Sequence, residues 1–112
     1  MAETFKRGGA ALSTTAATDL FTAQSGAGDV AIVLSVHCAN KTNSGANLTV
    51  DVTNSSGAVQ TCLLYQAGVP ANTSMEIVQN KVVLLAGEKI SATADTADVF
   101  DITVSALDVT AS

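Results

Sequence analysis

Tryptophan is absent from this chain, and its aromatic side chains are three Phe and one Tyr among 112 residues. A core must therefore be assembled from Val, Leu, Ile and Ala, which pack in thin layers and offer few large anchors. Charge is equally sparse: Asp, Glu, Lys and Arg make up 13% of the residues, which leaves the surface to Thr, Ser, Asn and Gln. Five residues are cationic against ten acidic. Lys6 and Arg7 adjoin near the N-terminus, while Lys41, Lys81 and Lys89 are scattered. Phosphate binding needs several cations gathered on one face, so nucleic acid is not the expected partner. No run of about 18 apolar residues occurs, so no membrane-spanning helix is expected. The start, MAETFKRGGAALSTT, lacks the apolar centre of a secretory signal, and a cytosolic site of synthesis and retention is expected.

Reactive groups are few. His37 is the single histidine, and it stands beside Cys38. Adjacent residues on a strand point to opposite faces, which argues against a Cys-His dyad. Cys38 and Cys62 are too widely spaced for a zinc framework. In a cytosol they read as two reduced, buried thiols, with a disulfide between neighbouring strands as the alternative. Asp95, Asp98 and Asp101 form a D-x-x-D-x-x-D run. It lacks the alternate spacing and glycine of a calcium loop and reads as turn caps. Four Asn-x-Ser/Thr triplets begin at Asn40, Asn47, Asn54 and Asn72. Without a secretory signal they carry no glycosylation argument. A catalytic site needs titratable groups held close together. Nothing here supplies one, and no enzyme, cofactor or metal is expected.

What the chain has in quantity is alternation. DVAIVLSVHCA from Asp29 to Ala39, NLTVDVT from Asn47 to Thr53 and VFDITVSALDV from Val99 to Val109 alternate apolar with small polar residues. That period marks strands with one buried face. On the longest, Val30, Ile32, Leu34, Val36 and Cys38 are expected on one face and Ala31, Val33, Ser35, His37 and Ala39 on the other. Both faces are apolar, as in a strand that is central or covered by a partner. NSSG at Asn54–Gly57 predicts a hairpin turn into a strand over Ala58 to Tyr65. A connection from Gln66 to Asn72 follows. Further strands are expected over Ala10–Thr15, Thr18–Ala23, Ser74–Val78, Lys81–Leu85 and Lys89–Ala94, with a turn at Gln79-Asn80. Phe21 is expected in the core. The fold class is thus all-β: one antiparallel β-sandwich or barrel of about eight or nine short strands over residues 10–112. Residues 1–9 read as a flexible N-terminal arm, hinged at Gly8-Gly9. On that arm Phe5, Lys6 and Arg7 are the expected partner-binding residues, an aromatic anchor beside two cations. A surface rich in β-branched polar residues and poor in charge is prone to edge pairing, which favours a homo-oligomer.

Several segments together resemble a group of small structural proteins of tailed bacteriophages, notably those of marine bacteria and cyanobacteria. They are DVAIVLSVHCANKTNSG, LTVDVTNSSG, GVPANTSMEIV and KVVLLAGEKISATADTADVFDITVSALDV, lying between Asp29 and Val109, and the resemblance as a whole extends from about Ala11 to Val109. The resemblance implies a virion component without enzyme activity, assembled in the bacterial host cytoplasm. A capsid decoration (cement) protein bridging subunits of the major capsid protein is the leading expectation. A neck, collar or tail-adaptor ring subunit is the alternative. A carbohydrate-binding sandwich for host attachment ranks lower, because sugar rings stack on Trp or Tyr and only Tyr65 is present.

Overall fold

A computed structural model describes residues 2–78 and 81–110. Among these described residues nine strands form two antiparallel sheets: β1 (Ala2–Ala11), β2 (Thr18–Thr22), β3 (Val30–Asn40), β4 (Ala46–Thr53), β5 (Val59–Val69), β6 (Ser74–Glu76), β7 (Val82–Leu85), β8 (Lys89–Ala94) and β9 (Phe100–Thr110). The first sheet runs β1-β9-β3 and is completed by β6 and β7, both on β3; the second runs β2-β8-β4-β5. The all-β class is as the alternating segments predict, and of the two architectures they leave open the chain adopts the β-sandwich. The turn expected at Gln79-Asn80 lies outside the described residues.

Each sheet turns its apolar face to the other. From β9 come Phe100, Ile102, Val104 and Ala106; from β4, Ala46, Leu48, Val50 and Val52. Outward positions on β4 hold Asn47, Thr49 and Asp51, as expected from the period. Phe21 is buried with its neighbour Leu20. A register shift between Asp19 and Phe21 breaks the alternation there and lets both side chains point inward.

Strand β3 departs from the expected faces. Its buried residues are Ala31 and Val33, then Val36, Cys38 and Asn40. The pairing with β9 slips between Val33 and Ser35, so Leu34 is an extra residue that shifts the phase of everything after it. Val30 and Ile32 therefore face outward with Ser35 and His37. On the far side of β3, β7 pairs with Val30–Val33 and β6 with His37–Ala39, so the two short strands lie end to end. Near the bulge the Val36 N–H donates to the Glu76 carboxylate at 2.8 Å.

The segment read as an arm is a strand. From Ala2, β1 pairs with β9 residue for residue as far as Ala11 opposite Asp101. Gly8 and Gly9 are not a hinge. A Cβ on Gly8 would collide with the Leu20 carbonyl oxygen, where β2 crosses the inner side of β1. Gly9 holds a φ of +134°, a backbone state that side chains disfavour. β5 likewise outruns its expected end at Tyr65: Gln66 takes a φ of +46° at a bulge, and pairing with β4 resumes to Val69. Between β2 and β8, Asp19 accepts hydrogen bonds from Ser91 Oγ at 2.8 Å and Lys89 Nζ at 3.2 Å. The Ser91 hydroxyl, with the Lys89 charge, holds the Asp19 carboxyl below its usual range.

Candidate functional site

The outer face of the first sheet is divided along its strands. Because directly opposite residues share a face, the pairing places Phe5, Leu107, Ile32 and Val83 in one row across β1, β9, β3 and β7. The adjacent row runs Glu3, Val109, Val30 and Leu85. Phe5 is 77% exposed, Leu85 60% and Val83 56%. Leu34, the bulge residue, is exposed beside them. Among the described residues no further layer covers these rows. Beyond Arg7, Ser105 and Ser35 the same face turns polar. His37 Nδ1 stands 4.0 Å from Glu76 Oε1, and Lys41 Nζ bonds Asp101 Oδ1 at 3.1 Å.

Of the three residues expected to bind a partner, the strand separates one from the others. Phe5 and Arg7 stand on this outer face, and Lys6 points to the opposite side with Thr4; all are exposed. Ile32, Val83, Leu85 and Leu107 complete the apolar surface, and the sequence reading did not single them out. Their signal was present: β3 is apolar at both sets of alternate positions, and VVLL in β7 has no polar side at all.

The polar residues flagged in the sequence do separate work. Asp95 accepts the Asn47 N–H at 3.0 Å, Asp98 sits in a turn at φ +63°, and Asp101 pairs with Lys41. Among the described residues no three His, Cys, Asp or Glu side chains are grouped to hold a metal. Two Asn-x-Ser/Thr triplets are turn chemistry. Asn40 Oδ1 accepts from the Thr42 N–H and hydroxyl, both at 2.9 Å. Asn54 Oδ1 accepts from the Ser56 N–H at 3.0 Å and hydroxyl at 2.7 Å. On the outer face of the second sheet, Asn47, Thr49, Gln66, Thr93 and Asp95 line a polar hollow of about 260 Å³. Much of its polarity is already engaged: Thr49 Oγ1 accepts the Gln66 N–H at 3.0 Å, and Asp95 serves Asn47.

Both cysteines are free, on strands of different sheets. Cys38 is buried as expected, but Cys62 is exposed on the edge strand β5. Desolvation, reinforced at Cys62 by the Asp51 carboxylate, pushes both thiols above their usual range. Maleimide labelling at neutral pH is expected to modify Cys62 alone, more slowly than an unperturbed cysteine. Cys38 should react only on unfolding. Equal labelling of both in the native protein would refute this arrangement.

Compared with known proteins, the sequence matches no family model and no curated protein.

Proposed function

We propose that this chain is a non-enzymatic virion structural protein of a tailed phage, which decorates and stabilises the capsid by bridging subunits of the major capsid protein. One observation carries the reading beyond the sequence resemblance: the uncovered apolar rows on the outer face of the first sheet. Exposed contiguous apolar surface of this kind marks a contact site. A chain with 13% charged residues has little else with which to hold a partner. Apolar burial is non-directional, and a repeating lattice multiplies a modest contact over every symmetry-related position. The same face would serve a neck, collar or tail-adaptor ring, and copy number separates the two.

The test is quantitative mass spectrometry of purified particles of the phage that encodes the chain, joined to rebinding of the purified protein to particles stripped of it. Abundance near that of the major capsid protein is expected. The double variant Val83→Asp/Leu85→Asp should bind at least about tenfold more weakly, equivalent to about 1.4 kcal/mol. Its circular dichroism should be unchanged, because both positions are exposed. A low fixed ratio to the capsid protein would move the protein to the neck or tail. Absence from particles would overturn the virion reading. Deleting residues 2–9 is unsuitable as a test, since it would remove β1 and bare the edge of β9.

A further inference from the structure

Strand β1 is an edge. β9 occupies one side of it along its whole length, and among the described residues no strand pairs with the other side. β2 packs over Gly8, beyond the stretch from Glu3 to Arg7, where all five side chains are exposed. Such an edge offers a row of backbone donors and acceptors to any second strand. We propose that it takes the same edge of a second copy of this chain, antiparallel, about a twofold axis through Phe5.

The charge pattern selects both the partner and the register. In parallel, in-register pairing Glu3 would face Glu3 and Arg7 would face Arg7, which is unfavourable. An antiparallel twofold pair has its axis normal to the sheet, so the outer faces of both copies stay on one side. A residue must then sit on that axis. With Lys6 there, lysine opposes lysine. With Thr4 there, Glu3 lies against Phe5 and finds no cation. With Phe5 there, Phe5 meets Phe5, Glu3 lies opposite Arg7 on the outer face, and Thr4 lies opposite Lys6 on the inner side. Cations on an edge strand ordinarily discourage pairing. Here they admit one self-complementary arrangement, as an isologous interface requires. The row Phe5–Leu107–Ile32–Val83 then runs on into its own image, and two sheets become one across the dimer. The exposure of Phe5, the largest side chain on this face, is thereby relieved.

The inference concerns the isolated protein and stands apart from the virion reading. The experiment is sedimentation analysis of the purified full chain at micromolar concentration, with Glu3→Arg, Arg7→Glu and the double exchange. The wild type is expected to be a dimer. Each single exchange should weaken dimerisation at least tenfold, and the double exchange should restore it, with circular dichroism constant throughout. A monomeric wild type, indifferent single exchanges, or a double variant as weak as the singles would each overturn the proposal. As a check on register, Phe5→Cys in a Cys62→Ser background should be oxidised by a copper–phenanthroline catalyst and oxygen to a disulfide-linked dimer. A dimer that resists that cross-link is paired in another register.

Discussion

The variant Gly9→Val is expected to lose about 3 kcal/mol or more of stability, a large share of the roughly 5–15 kcal/mol that holds a domain of this kind together. Two effects combine at this position. The φ of +134° is one that a β-branched residue tolerates poorly. A Cβ would also run into the Ile102 carbonyl oxygen, which is backbone of the central strand β9 and cannot swing aside. Relief requires β1 to lift off β9, and with it the edge that we infer to form the dimer. Gly57 provides the control. It also has a positive φ, +90°, but a Cβ there meets nothing within 4 Å. Gly57→Ala should therefore cost only the backbone term, about 1 kcal/mol. Urea unfolding of the two variants measures the difference. Equal losses would mean that the approach of β9 to Gly9 is not the constraint.

The second large effect is expected at Asn40, the last residue of β3 and 3% exposed. Its amide nitrogen donates to the carbonyls of Ser44 at 2.9 Å and Val69 at 3.1 Å, and its oxygen accepts from Thr42. Because Val69 ends β5, this one side chain ties the first sheet to the edge of the second. Asn40→Asp keeps the shape and the acceptor but turns a carboxylate oxygen toward two carbonyl oxygens. Burial and those dipoles raise the folded-state pKa of the new carboxyl above its unfolded value of about 3.9. Below that value the carboxyl is protonated in both states and the penalty is smallest. As pH rises, the unfolded chain ionises first and stability falls, levelling off once the folded carboxyl has also ionised. At neutral pH a loss of about 3 kcal/mol is expected, with partial recovery on acidification relative to the wild type. Asn40→Ala should cost about 2 kcal/mol without this pH dependence. Equal, pH-independent losses for the two variants would refute the donor role of the amide.

Asn40 also shows where the sequence could mislead. Asn-Lys-Thr reads as a generic polar triplet opening a loop. Its spacing in fact lets the Thr42 N–H and hydroxyl meet the Asn40 oxygen, and its burial depends on Val69, distant in the chain. The apolar rows of the candidate site are a similar case. Each residue in them is ordinary, and the surface exists only because β1, β9, β3 and β7 lie side by side. A pattern along one strand carries no information about its neighbours.

By itself the amino-acid sequence determined the all-β class, an architecture of sandwich or barrel, the inward face of β4, the hairpin at Asn54–Gly57 and the span of β8. These follow from short-range alternation and turn chemistry, which act between residues a few positions apart. Tertiary structure alone decided the rest. The bulge at Leu34 exchanges the faces of the first half of β3, because pairing with β9 can absorb one extra residue at a cost that no local pattern records. Residues from Ala2 to Ala11, polar and glycine-bearing, become a strand because β9 supplies its hydrogen-bond ladder and β2 needs the bare backbone of Gly8. Partners distant in the chain set those outcomes, and a period of two is the same whichever strand lies alongside.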